Sequence, residues 1–143
     1  MSNLAKNVMT ANPQCCSADT SLNEVAKLMV ECDCGEIPVV DNAKKLIGVV
    51  TDRDIVCRAV AKGLNAASTK VSEVMTSPVV SVAEDCRLDD VVATMEEHQI
   101  RRVPVLDASG CVCGIISQAD VALHAQESET GELVKEVSRD SVH

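Results

Sequence analysis

Phenylalanine, tyrosine and tryptophan are all absent from this sequence. A core built without them has to be aliphatic, with Met and Cys filling its gaps. The stacking platforms on which single-stranded nucleic acids lie are missing too. Positive charge is scarce: 13 Lys and Arg stand against 22 Asp and Glu, a formal net charge of −9. That balance repels phosphate backbones at long range, so no nucleic-acid partner is expected. No uninterrupted apolar run approaches the ~18–20 residues of a membrane span. The opening Met-Ser-Asn-Leu-Ala-Lys lacks the charged-then-apolar pattern of a secretory signal. The expected location is therefore the cytoplasm, with no membrane partner. There the eight cysteines are expected to be reduced thiols, not a disulfide framework.

What the chain does have is a repeat. Gly48-Val49-Val50-Thr51-Asp52-Arg53-Asp54-Ile55 returns 66 residues later as Gly114-Ile115-Ile116-Ser117-Gln118-Ala119-Asp120-Val121. The same offset aligns Val8-Met9-Thr10 with Val74-Met75-Thr76, and Leu22, Val25, Met29 and Glu31 with Leu88, Val91, Met95 and Glu97. It also aligns Pro38-Val39 and Asp41 with Pro104-Val105 and Asp107. Only the stretch from Pro13 to Leu22 needs a one-residue shift, Pro13 matching Pro78. Self-similarity at one fixed period marks two copies of one structural unit.

Each copy has the same plan. A short extended piece (Gln14 to Ser17; Val79 to Val82) precedes a helix from about Ser21 to Glu31 or Arg87 to His98. Leu22, Val25, Ala26 and Met29, and likewise Leu88, Val91, Val92 and Met95, sit at helical spacing on one face. Two strands follow, Ile37 to Val40 and Leu46 to Val50, or Val103 to Leu106 and Val112 to Ile116. Each pair is joined by an Asp-containing turn. A closing helix starts at the Thr/Ser-x-x-Asp corner and runs to about Ala61 or Ala125. One such βαββα unit cannot close a core, whereas two can pack sheet against sheet. The expected fold is thus α/β (α+β), with repeats at residues 5–64 and 71–126. An acidic tail at residues 127–143, with five acids and two bases, is expected to be mobile.

The corner carries the chemistry. A strand, a hydroxyl and an aspartate three positions on bring a carboxylate, a hydroxyl and free helix N–H groups together. That set suits a phosphate and a sugar diol. The same residues are also a helix capping box, and one set of atoms can serve both purposes.

With these motifs in place, the chain resembles a tandem pair of CBS domains, the family named after cystathionine β-synthase. The likeness runs from about Ala5 to Ala125. It rests on the Val-Met-Thr lead-in, the Ile/Val-Pro-Val-x-Asp strand, the Gly-apolar-apolar-Thr/Ser-x-x-Asp corner and the tandem copy. The resemblance implies two βαββα repeats packed sheet to sheet about a pseudo-twofold axis. Its clefts would bind adenosyl ligands: AMP, ADP or ATP most often, sometimes S-adenosylmethionine or NAD. It further implies a non-enzymatic regulatory or signal-transduction role, an adenine-nucleotide ligand (AMP, ADP or ATP) in place of a catalytic cofactor, and a homodimer forming a flat disc of four domains. By resemblance the cleft at Asp120 would use Ser117, Ile115, Arg101 and Arg102, with Ile37 and part of Asn12 to Cys16 across the pseudo-twofold, Cys16 included. The cleft at Asp54 would use Thr51, Val49, Arg53, Val103 and part of Ser77 to Val82, Val80 included. Where the second copy has Arg101-Arg102, the first has Gly35-Glu36. An acid there disfavours a polyphosphate at Asp54 unless Arg53 or Arg58 compensates, so Asp120 is expected to mark the tighter cleft.

The cysteines support a competing class. Cys34, Cys57 and Cys113 align with Ile100, Leu123 and Ile47 and are expected to act as small core hydrophobes. Cys32-x-Cys34 and Cys111-x-Cys113 lack the C-x₂₋₄-C spacing of structural zinc sites. Cys15 or Cys16 together with His124 forms a candidate metal or redox group, the basis of an alternative cysteine-based redox or metal-responsive function. Thiol catalysis would need a base beside the thiol, and no enzyme signature surrounds any of these cysteines. A third reading, a purely structural dimer, is opposed by the intact Asp54 and Asp120.

Overall fold

The computed structural model describes residues 3–125; the proposed tail at 127–143 lies outside the described residues. In chain order the elements are α1 (Ala5–Val8), β1 (Thr10–Ala11), α2 (Leu22–Cys32), β2 (Glu36–Val40), β3 (Leu46–Thr51) and α3 (Asp52–Ile55). There follow a π-helical turn (Val56–Val60), a 3-10 turn (Val71–Glu73), β4 (Val82–Ala83), α4 (Leu88–His98), β5 (Arg102–Leu106) and β6 (Val112–Ser117). A last helix, α5, occupies residues 118–125. Among the described residues no helix is long and apolar enough to cross a membrane.

The helices start and stop for local reasons. Ser21 caps α2 by accepting the Glu24 N–H at 3.2 Å. Asp33 ends the helix in the left-handed region at φ 53°, and Gln99 ends α4 in the same way at φ 54°. Leu22, Val25 and Met29 of α2 turn inward, as do Val91 and Met95 of α4. Ala26, expected on that face, is exposed. The hairpins β2–β3 and β5–β6 share one register, pairing Glu36 with Thr51 and Arg102 with Ser117. Each slips at the equivalent place, before Val40 and before Leu106.

The pairing outside the hairpins establishes the dyad. Thr10 pairs with Ile115 of the second repeat, and Thr76 pairs with Val49 of the first. Leu4 bridges Arg87, and Lys70 bridges Ser21. Every one of these pairs becomes its partner pair when the repeats are exchanged. Lys45 bridges Cys111, its own counterpart, so the axis passes between those two hairpin turns. The extended pieces are shorter than expected: Cys16 makes a single parallel bridge to Val39, and Val82–Ala83 pairs in parallel with β5.

Each lead-in therefore completes the opposite repeat. Ala5 and Met9 pack in a core with Val82, Val91, Val103, Val105 and Ile116. Val71, Val74 and Met75 pack in the other, with Leu22, Val25, Ile37, Val39 and Val50. The unit that repeats in sequence is not the unit that packs. With no aromatic side chain to fill space, β-branched Val and Ile dominate both interiors and the sheets bring them together.

Gly48 and Gly114 admit the exchanged methionines. A Cβ on Gly114 would lie 2.7 Å from Met9 Cγ, and one on Gly48 would lie 2.8 Å from Met75 Sδ. Gly114→Val is expected to cost about 1–3 kcal/mol through overpacking, a drop of about 3–10 °C in Tm for a chain of this size. Combining it with Met9→Ala should cost less than the sum of the two single changes. Additive losses in a double-mutant thermal series would refute the contact.

Candidate functional site

Both corners form as capping boxes. At the first, the Thr51 N–H donates to Asp54 Oδ2 and the Asp54 N–H donates to Thr51 Oγ1, each at 3.0 Å. At the second, the Ser117 N–H donates to Asp120 Oδ2 and the Asp120 N–H donates to Ser117 Oγ, again at 3.0 Å. Capping thus holds one carboxylate oxygen and orients the other. What happens to that second oxygen separates the two sites.

At Asp54 it is taken by the protein itself. Arg58 Nη1 lies 3.8 Å from Asp54 Oδ1, and the Thr76 hydroxyl reaches both carboxylate oxygens at 3.4 Å. Arg58 is held in turn by donating to the Val74 and Met75 carbonyls at 3.0 and 3.2 Å. Asp54 is only 8 % exposed. The first amides of α3 are also engaged: Asp52 N–H by the Gly35 carbonyl, Arg53 N–H by Asp52 Oδ1, and Asp54 N–H by Thr51. Arg58 has His124 as its counterpart, and no ion pair joins Asp120 to a cation among the described residues.

At Asp120 a cavity of about 470 Å³ opens instead. It is lined by Ser117, Asp120, Ile115, Arg101 and Arg102, with Thr10, Pro13 and Gln14 from the exchanged lead-in and with Cys32, Asp33, Cys34 and Glu36 from the first repeat. Gln118 N–H at the start of α5 donates to the Arg101 carbonyl at 2.9 Å. Of the first amides of α5, Ala119 N–H is the one left without such a partner among the described residues. One N–H contributes little to a phosphate, so Arg101 and Arg102 supply most of the local positive charge.

The structure brings five of the expected residues of this cleft together: Ser117, Asp120, Ile115, Arg101 and Arg102. Two others go elsewhere. The side chains of Ile37, fully buried, and Cys16, 7 % exposed, belong to the first core and do not line the cavity. Strand alternation turns Ile37 inward and leaves its neighbour Glu36 at the cleft. Of the residues assigned to the Asp54 cleft, Thr51 and Asp54 meet in the cap and Val49 pairs with Thr76. Arg53 is exposed, while Val103 and Val80 belong to or pack against the second core.

Glu36, expected only at the Asp54 corner, also lines the Asp120 cavity while still feeling the charge of Asp54. It stands 66 positions before Arg102, and near a dyad such counterparts approach the same ground. Burial pushes its carboxyl up from the ordinary value of about 4.5 to about 7, Arg102 opposing this and Asp54 adding to it.

The thiols also depart from expectation. Cys32 and Cys34 are joined at the end of α2, where reduced thiols were expected. The tight left-handed turn at Asp33 brings the two together. Cys57 is exposed, not in a core, because the helix after Asp54 turns that side outward, with Val56, Val60 and Leu123 also exposed. Burial pushes the Cys16 thiol up to about 12, with Cys15 adding to the rise. Burial also raises Cys15, against the pull of Lys44. Burial thus disfavours the thiolate at both positions and makes them poorer nucleophiles than an exposed cysteine. Among the described residues no three His, Cys, Asp or Glu side chains come together in a way that could hold a metal ion. Cys15 or Cys16 with His124 is therefore not part of any such group of three among those residues.

A family model for the CBS domain matches residues 5–60 and again 71–127. The chain belongs to the CBS-domain family. The CBS pair is 39 % identical over 136 residues to the uncharacterized protein YlbB of Bacillus subtilis, covering 93 % of this chain and 90 % of that one. Its fold matches that of hypoxic response protein I, a structure with two coordinated zinc ions, at a TM-score of 0.79 and 33 % identity over 85 % of this chain and 98 % of that one. The CBS domain pair of MJ0100, in complex with 5′-methylthioadenosine and S-adenosyl-L-methionine, matches at 0.77 with 28 % identity, covering 90 % and 99 % of the two chains. CBSX2 in complex with AMP matches at 0.77 with 27 % identity, covering 88 % and 98 %.

The sign of the Glu36 shift yields a test. A carboxyl held above its unfolded value keeps a proton in the folded chain that the unfolded chain releases between about pH 4.5 and 7. Stability from this residue is full at the acid end and is lost as pH rises through about 7. Glu36→Gln should change stability little at pH 4 and raise it at pH 8 by on the order of 1–3 kcal/mol, read as a higher Tm at pH 8 only. Equal effects at pH 4 and pH 8 would show that burial does not raise this group.

Proposed function

We propose that this protein is a non-enzymatic regulatory module that binds an adenine nucleotide (AMP, ADP or ATP) in the Asp120 cleft. The observation that carries the reading is the open cavity in which a half-engaged carboxylate, a hydroxyl and two arginines converge. The free oxygen of Asp120 accepts from the ribose hydroxyls, and a carboxylate does so more strongly than a neutral group. Ser117, Arg101 and Arg102 hold the phosphate. The base lies against aliphatic side chains such as Ile115 and is read by backbone groups, so the missing aromatics are no obstacle. The self-satisfied Asp54 corner binds more weakly or not at all.

The AMP and S-adenosylmethionine complexes of related CBS pairs support the ligand class. The working form is a cytoplasmic homodimer, supported by the exposed apolar side chains Val56, Val60, Leu64 and Leu123. Occupation of the cleft alters the shape of the dimer, and a partner protein reads the change. A thiol-responsive function is the second reading. In its favour, Cys32 and Cys34 lie on the wall of the cleft; against it, burial disfavours the thiolates of Cys15 and Cys16.

A thermal-shift panel of AMP, ADP, ATP, NAD and S-adenosylmethionine, with and without reductant, separates the two. Stabilisation by a nucleotide regardless of reductant is expected, and a response to reductant alone would favour the second. Arg102→Ala should weaken AMP binding by about 1–3 kcal/mol, the scale of a charge-assisted contact. Asp120→Ala should abolish most of the affinity and Asp54→Ala little of it. Equal losses at the two aspartates in calorimetric titrations would overturn the assignment to one cleft.

A further inference from the structure

The charges around the Asp120 cleft are unusual for a phosphate site. Arg101 and Arg102 face Asp33, Glu36 and Asp120 across the same cavity, two positive groups against three negative ones. Asp33 comes from the end of α2, Asp120 from the start of α5, and Glu36 from the edge of β2. Behind Glu36 stands Asp54 of α3, whose charge also acts on it, and the Asp52 carboxylate lies beside Gly35. Arg102 is therefore not free to serve a ligand alone, since its charge also acts on Glu36.

We infer that Glu36 is the charge-selecting residue of the Asp120 cleft, competing with phosphate for Arg102, so that the cleft accepts a nucleoside monophosphate in preference to a triphosphate and takes up a proton on binding it. This rests on the reading of the cleft as an adenine-nucleotide site. The physics is direct. An arriving phosphate neutralises Arg102, which had favoured the ionised form of Glu36, and adds negative charge nearby. Both effects drive the carboxyl towards its neutral form, and burial has already brought it close to that point. A triphosphate brings further negative charge into a cavity where, among the described lining residues, no cation beyond Arg101 and Arg102 meets it. Removing the Glu36 charge relieves the longer ligand most.

Isothermal titration of the full chain with AMP at pH 7.5, in two buffers of different ionisation enthalpy, measures the proton directly. Uptake of about half a proton per AMP is expected, with none for adenosine, which carries no phosphate. Glu36→Gln should remove the uptake, raise ATP affinity at pH 8 about tenfold and AMP affinity less, and flatten the pH dependence of both. AMP binding with no proton taken up by the unaltered protein would overturn the inference and leave the cleft reading standing. So would an unchanged AMP-to-ATP preference in a folded Glu36→Gln variant. Failure of AMP, ATP and adenosine alike to bind would overturn both.

Discussion

Thr10 pairs with Ile115 and Thr76 with Val49, and on this exchange of lead-ins between the two repeats the rest of the structure depends. A βαββα unit leaves one edge of its sheet unpaired and one side of its core open. Here each is closed by a segment from the other copy. Met9 and Met75 enter where Gly114 and Gly48 leave no Cβ to meet them. Neither half is complete alone, and the pseudo-twofold follows from reciprocity. It also determines where the cleft lies, because Thr10, Pro13 and Gln14 reach the second repeat's corner by the same route.

The duplicated corners show how similar local sequences reach different states. Thr51-x-x-Asp54 and Ser117-x-x-Asp120 make the same two cap hydrogen bonds at the same distances. One aspartate is then closed off by Arg58 and Thr76, while the other borders an open cavity. At Asp120 the cap and the proposed ligand role are compatible, since capping uses Oδ2 and leaves Oδ1. A buried carboxylate that already has a cation and a hydroxyl gains little from exchanging them for a sugar. Loss of symmetry in side chains, on a backbone that keeps it, is enough to leave one of two equivalent corners closed and the other open.

Much of the fold was legible because repetition reports backbone environment twice. The methionine pairs, the glycines before each corner and the Pro-Val strands all occupy matching places in the structure. The stretch from Pro13 to Leu22 was less legible, since its expected strand shrinks to the single bridge at Cys16. The site was partly legible. Asp120, Ser117, Ile115 and the two arginines converge as read, because strand-to-helix corners and the adjacent strand start are neighbours within one repeat. Ile37, Cys16 and Glu36 were not, because which side of a strand faces the dyad depends on how the two sheets meet. Cys57 was misjudged for a related reason: an apolar counterpart marks a shared environment, and here that environment is the outside.

By itself the sequence determined the repeat, the aliphatic character of the interior, the acidic surface and the pairing of hydroxyl with carboxylate at each corner. These are properties of composition and of contacts within a few residues, where covalent proximity limits the choices. Only the tertiary structure decided that the lead-ins cross over, that Arg58 occupies the Asp54 corner and that Glu36 joins the Asp120 cleft. Those outcomes belong to pairs such as Glu36 and Arg102, 66 residues apart in the chain. Their meeting depends on the dyad, and the dyad exists only once both cores have closed.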